Sequence, residues 1–160
     1  MFNNSILDIK NRPYAFAKIK GSNDYPGING IAYFYKVQAG VLISIQLIGL
    51  PLSDNICKNP IFAVHIHSGD SCTGNNDDPF ADAMTHYNPD DCPHPYHAGD
   101  LPPVFGANGF GFSAFLTNRF SAKEIIGKTI IIHSAPDDFT TQPSGNSGIK
   151  IACGVILSAV

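Results

Sequence analysis

Gly30-Ile31-Ala32-Tyr33-Phe34-Tyr35-Lys36-Val37-Gln38-Ala39-Gly40-Val41-Leu42-Ile43-Ser44-Ile45-Gln46-Leu47-Ile48 is the stretch that decides the fold class. Two runs rich in Val, Ile, Phe and Tyr, alternating as half-buried strands do, are joined by the turn Gln38-Ala39-Gly40. Upstream, Tyr14-Ala15-Phe16-Ala17-Lys18-Ile19-Lys20 has the same character and runs into the turn cluster Gly21-Ser22-Asn23-Asp24. With an end at Gly49-Leu50-Pro51, the first fifty residues read as a meander of three strands. Downstream, the same signals predict strands over Ile61–His67, Gly109–Leu116, Lys128–His133 and Lys150–Leu157. Ser121–Ile126 is predicted as one helical turn opened by a serine cap. From Ser68 to about Pro103 the chain is rich in Gly, Asp, Asn, Pro and His and reads as a long irregular connection. Such a connection is uncommon in a compact domain unless it is functional, and metal ligation would order it. Seven or eight strands, no long helix and no internal repeat predict an all-β barrel or sandwich.

At 160 residues with 44% hydrophobic residues, the chain has the size and apolar content of one domain spanning 1–160. A net charge of -3, with 14% charged residues, leaves no global basic field for nucleic acid or an anionic membrane. No segment approaches the roughly 20 apolar residues of a membrane helix. Met1–Lys10 has neither a basic n-region nor a long apolar run, so no signal peptide is read and the expected location is cytoplasmic. An exported protein whose leader has been lost is the alternative. The four cysteines, Cys57, Cys72, Cys92 and Cys153, form no CxxC pair, which argues against a zinc ribbon or a thioredoxin-type site.

All six histidines fall between positions 65 and 133, at the ends of predicted strands or within the long connection. His65 and His67 are two apart on a strand, so they share a face about 7 Å apart and can share one metal. His86, His94, His97 and Asp100 follow as H-x7-H-x2-H-x2-D. Three imidazoles and a carboxylate suit a closed, tetrahedral, structural zinc site. His133 is left to complete a nitrogen-rich site with His65 and His67.

The segments Val64-His65-Ile66-His67, His86, His94-Pro95-Tyr96-His97-Ala98-Gly99-Asp100-Leu101, Ile132-His133 and Gly145-Asn146-Ser147-Gly148-Ile149-Lys150-Ile151-Ala152-Cys153-Gly154-Val155-Ile156 resemble the signature blocks of copper-zinc superoxide dismutases, in the family's order. The resemblance implies an eight-stranded antiparallel Greek-key β-barrel or immunoglobulin-like sandwich with long metal-binding loops. It further implies copper on His65, His67, His86 and His133, and zinc on His86, His94, His97 and Asp100, with His86 as the bridging imidazole. Asp137 matches the aspartate that links a copper-side and a zinc-side histidine. Cys72 and Cys153 match the family's disulfide. The implied substrate is the superoxide anion, with copper cycling between oxidation states and the His86 imidazolate taking a proton when it leaves copper.

The chain also departs from the pattern. Lys150 stands where the family has an active-site arginine; it keeps the charge but loses the planar fork, so weaker anion orientation and a lower rate are expected. The connection between His94 and His97 is short. Cys57 and Cys92 lie outside the pattern: a second bridge that pins the zinc loop is the expectation, with two free thiols as the alternative. Two bridges would point to maturation in an oxidising place. Leu157-Ser158-Ala159-Val160 and nearby strands leave both a homodimer face and a plain barrel exterior open. The competing function is a non-catalytic copper-binding or copper-delivery module of the same fold, and a further one is a structural zinc-stabilised β-domain.

Overall fold

The computed structural model describes residues 12–55, 57 and 60–159. Met1–Lys10, read above for a leader, and Val160 of the suggested dimer face lie outside the described residues. Eight strands follow in order: β1 (Ala15–Gly21), β2 (Asn29–Val37), β3 (Gly40–Ile48), β4 (Ile61–His67), β5 (Asp100–Ala107), β6 (Phe110–Thr117), β7 (Thr129–His133) and β8 (Lys150–Ser158). They close into a barrel in the spatial order β1-β2-β3-β6-β5-β4-β7-β8, every pair antiparallel. Strands β4 to β7 lie in the order 7-4-5-6, which is a Greek key. Of barrel and sandwich, the closed barrel is the form adopted. Among the described residues no helix is long and apolar enough to cross a membrane.

Alternation explains why these segments are strands. Ala15, Ala17 and Ile19 of β1, Ala32 and Phe34 of β2, and Val41, Ile43, Ile45 and Leu47 of β3 all point into one core. Each large one removed from water contributes about 1.5–3 kcal/mol. On β4 the inward set is Phe62, Val64 and Ile66, so His65 and His67 face outward, beneath the long connection. Every residue of β4 after Ile61 is buried, because the connection covers its outer side. β7 divides in the same way, with Ile130 and Ile132 in the core and Ile131 and His133 on the covered side.

Two expectations are corrected. β5 was not foreseen, because Pro102 and Pro103 read as strand breakers. Both sit between Leu101 and Val104, where the register with β4 shifts and the ladder is interrupted, and the strand continues into a two-residue turn, Asn108-Gly109, with φ of 52° and 82°. That dipeptide is the preferred chemistry for a hairpin turn and was the available signal. Ser121–Ile126 is a series of turns with no helix in it. There the Glu124 carboxylate accepts from the Ser121 backbone N–H at 2.6 Å, so the expected serine cap is replaced by its acidic partner.

Candidate metal centre

The connection from β4 to β5 is sewn onto the backbone of β4. Tyr87 N–H donates to Ile66 O, Ile66 N–H to Gly99 O and Gly99 N–H to Tyr87 O, each at 2.8 Å. A Cβ on Gly99 would lie 2.2 Å from Ile66 O, so this close approach needs glycine. His86 is thereby placed as a bridge partner of His67, although the two are far apart in the chain. The second long connection, from β7 to β8, closes over the same place. Gln142 clasps the His94 backbone by accepting from its N–H at 2.9 Å and donating to its O at 2.6 Å.

Two groups of ligand atoms result: His65, His67, His86 and His133, and His86, His94, His97 and Asp100. All seven side chains are buried, and His86 belongs to both groups. Neighbouring hydrogen bonds fix which ring atoms are offered. His67 Nδ1 donates to Met84 O at 2.8 Å, leaving Nε2, which lies 3.4 Å from His133 Nε2. His65 Nε2 lies 2.7 Å from Asp137 Oδ2, leaving Nδ1. His94 Nε2 lies 2.9 Å from Asp137 Oδ1, again leaving Nδ1. On the other side His86 Nδ1 and His97 Nδ1 approach Asp100 Oδ1 at 2.8 and 3.3 Å, and His94 Nδ1 approaches Asp100 Oδ2 at 3.0 Å.

His65 Nδ1 and His86 Nε2 are buried without a hydrogen-bond partner, and His94 Nδ1, buried with them, meets only the Asp100 carboxylate at 3.0 Å, outside hydrogen-bond geometry. A buried polar atom with no hydrogen bond is costly, and three of them converging on two points need electrophiles to face. Ligand atoms about 3.0–3.4 Å apart are also what a tetrahedral ion with bonds near 2.0–2.1 Å requires. The residues therefore fit two metal ions. Nitrogen-rich on one side and mixed nitrogen and oxygen on the other, the donor sets fit copper and zinc.

Electrostatics prepares the ligands. Burial, followed by the nearby His65, holds His133 down to about 3. Burial likewise pushes His65 and His97 down and His67 well down. All are neutral at pH 7, as a metal-binding imidazole must be. Burial would raise the carboxyl of Asp137, but hydrogen bonds from His65, the Phe139 N–H and His94 outweigh it and lower it to about 2. For Asp100 burial is outweighed chiefly by His86, and the carboxyl again lies below its ordinary value.

The structure thus joins every histidine singled out in the sequence with Asp100 and Asp137. Cys72 and Cys153 form a disulfide that ties the first connection to β8. Cys57 and Cys92 do not form the second bridge expected above; both are free thiols. The short zinc loop is held there by Asn88, which accepts from Cys92 N–H at 3.0 Å and donates to Cys92 O at 2.8 Å. Lys150 is half-buried in the wall of a cleft of about 660 Å³ whose floor is His67, His86 and His133. Its Nζ lies 2.6 Å from Asp78 Oδ2 and donates to Phe80 O at 3.0 Å.

Three supporting residues escaped sequence reasoning. Arg119 Nη1 donates to Pro95 O at 2.9 Å and to His97 O and Asp100 O at 3.2 Å, bracing the zinc loop from outside. Met84, with φ of 64°, turns its carbonyl toward His67. Gly145 leaves room for Asp137, whose Oδ1 a Cβ would meet at 2.0 Å. Only Gly145 carried a signal, within Gly145-Asn146-Ser147-Gly148.

Comparison with known proteins agrees with this geometry. The profile of the family described as copper/zinc superoxide dismutase matches residues 28–156. The chain is similar to superoxide dismutase (Cu-Zn) 2 of Aquifex aeolicus, 32% identical over 142 residues that cover 79% of this chain and 78% of that protein. It is 33% identical to the superoxide dismutase (Cu-Zn) of Deinococcus radiodurans over 146 residues, covering 80% and 76%. The extracellular superoxide dismutase (Cu-Zn) of Mus musculus is 29% identical over 83% of this chain and 55% of its own length.

Proposed function

We propose, from the premise that this chain belongs to the copper/zinc superoxide dismutase family, an assignment of each metal to its own group of side chains. The protein is an oxidoreductase that converts superoxide to oxygen and hydrogen peroxide. Copper is assigned to His65 Nδ1 and to Nε2 of His67, His86 and His133. Zinc is assigned to Nδ1 of His86, His94 and His97 and an Asp100 oxygen. The observation that carries the assignment is the His86 ring, whose Nδ1 faces the Asp100 group while its buried Nε2 has no partner in the protein.

The chemistry a bound copper supplies is a one-electron couple, accepting an electron from one superoxide and giving one to the next, whereas zinc has none and is structural. The chain's own residues do the rest. His86 Nε2 is the atom at which a proton can be held, since Nδ1 is committed to the zinc side. Asp137, bonded to His65 and His94 at once, keeps a ring of each group in register. Lys150 is the cation nearest the substrate's path, lining the same cleft as His133. Replacing Lys150 by Arg tests its guiding role: turnover rises if the fork improves anion orientation, and an unchanged rate removes the role.

A copper-delivery module of the same fold would be expected to lack a copper ligand, and histidine at all four positions favours the enzyme. Metal analysis joined to a superoxide-consumption assay decides. The copper-reconstituted protein turns over rapidly, and copper binding without turnover would sink the assignment. A single unit over 1–160 and a homodimer are proposed for its organisation; Leu157, exposed on β8, supports the second, which sedimentation tests. Of the two locations considered, the disulfide favours the exported one.

A further inference from the structure

The charges around the cleft do not suit an anionic substrate. Among the described residues its lining holds one lysine, Lys150, against three aspartates, Asp24, Asp77 and Asp78. Lys150 is also not a free charge, because its Nζ is 2.6 Å from Asp78 Oδ2 and is further fixed on Phe80 O. The other oxygen of the same carboxylate, Oδ1, accepts from the Phe80 N–H at 3.0 Å, and the Asp78 N–H donates to Asn75 Oδ1 at 3.0 Å. Asp78 therefore cannot swing away without undoing its own turn. That turn belongs to the connection tied to β8 by Cys72–Cys153, and Lys150 opens β8. The pair is held from both ends.

We propose that Asp78 is a positioning residue that clamps Lys150 to the cleft wall and cancels its field, so that Asp78 sets how readily an anion reaches the His67, His86 and His133 floor. The proposal rests on the superoxide dismutase reading above. A lone cation attracts an anion over about a Debye length, roughly 8–10 Å at physiological salt, whereas a close ion pair presents a dipole whose pull fades much sooner. The arrangement trades capture of the anion for a fixed lysine.

The test compares copper-loaded and zinc-loaded wild type with Asp78→Asn, Asp77→Asn and Asp78→Glu. Asparagine keeps an Oδ1 acceptor for the Phe80 N–H, so the turn survives while the charge goes. Asp78→Asn raises kcat/KM for superoxide about three- to tenfold at low ionic strength, a gain that shrinks as salt is added. Azide, a small anion titrated against the copper absorption band, binds tighter by a similar factor. Asp77→Asn removes the same charge without touching Lys150 and changes both quantities by less than about twofold. Asp78→Glu returns both to wild type. An unchanged or weaker azide affinity in Asp78→Asn, or an equal gain in Asp77→Asn, overturns the proposal. Should Asp78→Asn fail to fold, Asp78→Ser serves the same comparison. A wild type that binds copper and azide but does not consume superoxide defeats the dismutase reading instead, and the azide series still decides the role of Asp78.

Discussion

The two halves of the metal centre are built on different kinds of scaffold. His65, His67 and His133 stand on β4 and β7, neighbouring strands whose register is set by the core on their other face. His86, His94 and His97 stand in the connection to β5 and owe their places to Gly99, Gln142, Asp137, Arg119 and the disulfide. The strand-borne half is a by-product of barrel folding. The loop-borne half must be assembled afterwards, from contacts that individually contribute little, and it is the part that a metal would stabilise most.

That contrast can be attacked from either side. The largest effect is expected on the strand-borne half, by acid on the metal-free protein. Histidines whose folded values are depressed bind fewer protons in the folded state than in the unfolded one, so stability falls as pH drops below their ordinary 6.5, and for His133 the loss continues to about 3. Each contributes up to about 1.4 kcal/mol per pH unit within its window. Asp137 extends the loss from 3.8 to about 2. Urea titrations across this range measure it, and a flat profile between pH 6.5 and 4 would mean the histidines are not sealed.

Next comes the loop-borne half. Cys153→Ser, or reduction, releases a tether between residues 81 apart in sequence and costs about 4 kcal/mol. Thermal melts report the loss, and competition with a chelator should show zinc affinity falling more than copper affinity. Equal losses would erase the distinction between the halves. Asp137→Asn strikes the one residue that belongs to both, and about a 10- to 100-fold drop in affinity is expected for each metal. If only one metal weakens, the two rings are oriented separately. The smallest effect is at Arg119→Leu, which removes the brace from three carbonyls and weakens zinc by about 1 kcal/mol, with copper unchanged.

The same divide governs what could be read beforehand. Alternation along β1 to β3 and the apolar runs of β4 and β7 predict an all-β barrel or sandwich and put His65 and His67 on one strand face and His133 at a strand end, because strand period and core burial are local properties of the chain. His86, His94, His97 and Asp100 were legible as a cluster of ligand types, and the pairing with Asp137 came from family resemblance. Arg119, Met84 O and Asp78 act through contacts spanning 15 or more residues, and neither spacing nor residue type announces such contacts. β5 was hidden by prolines that a strand can bear where its ladder is interrupted, and the second bridge was inferred from Cys92 standing beside His94 in the short zinc loop, which the side chain of Asn88 holds instead.

Closure of the barrel through β1 and β8 gives every described strand a neighbour on both sides, so the sheet has no free edge strand for another copy to extend by simple addition. Templated growth would first have to part a seam. The β5–β6 seam, held by Gly106–Gly111 and Ala107–Phe110, is the shortest, and Phe105, Phe110 and Phe112 lie exposed beside it. Zinc gripping Asp100 at the start of β5 would keep that strand in its place, making metal retention a guard against self-association as well as a support for chemistry.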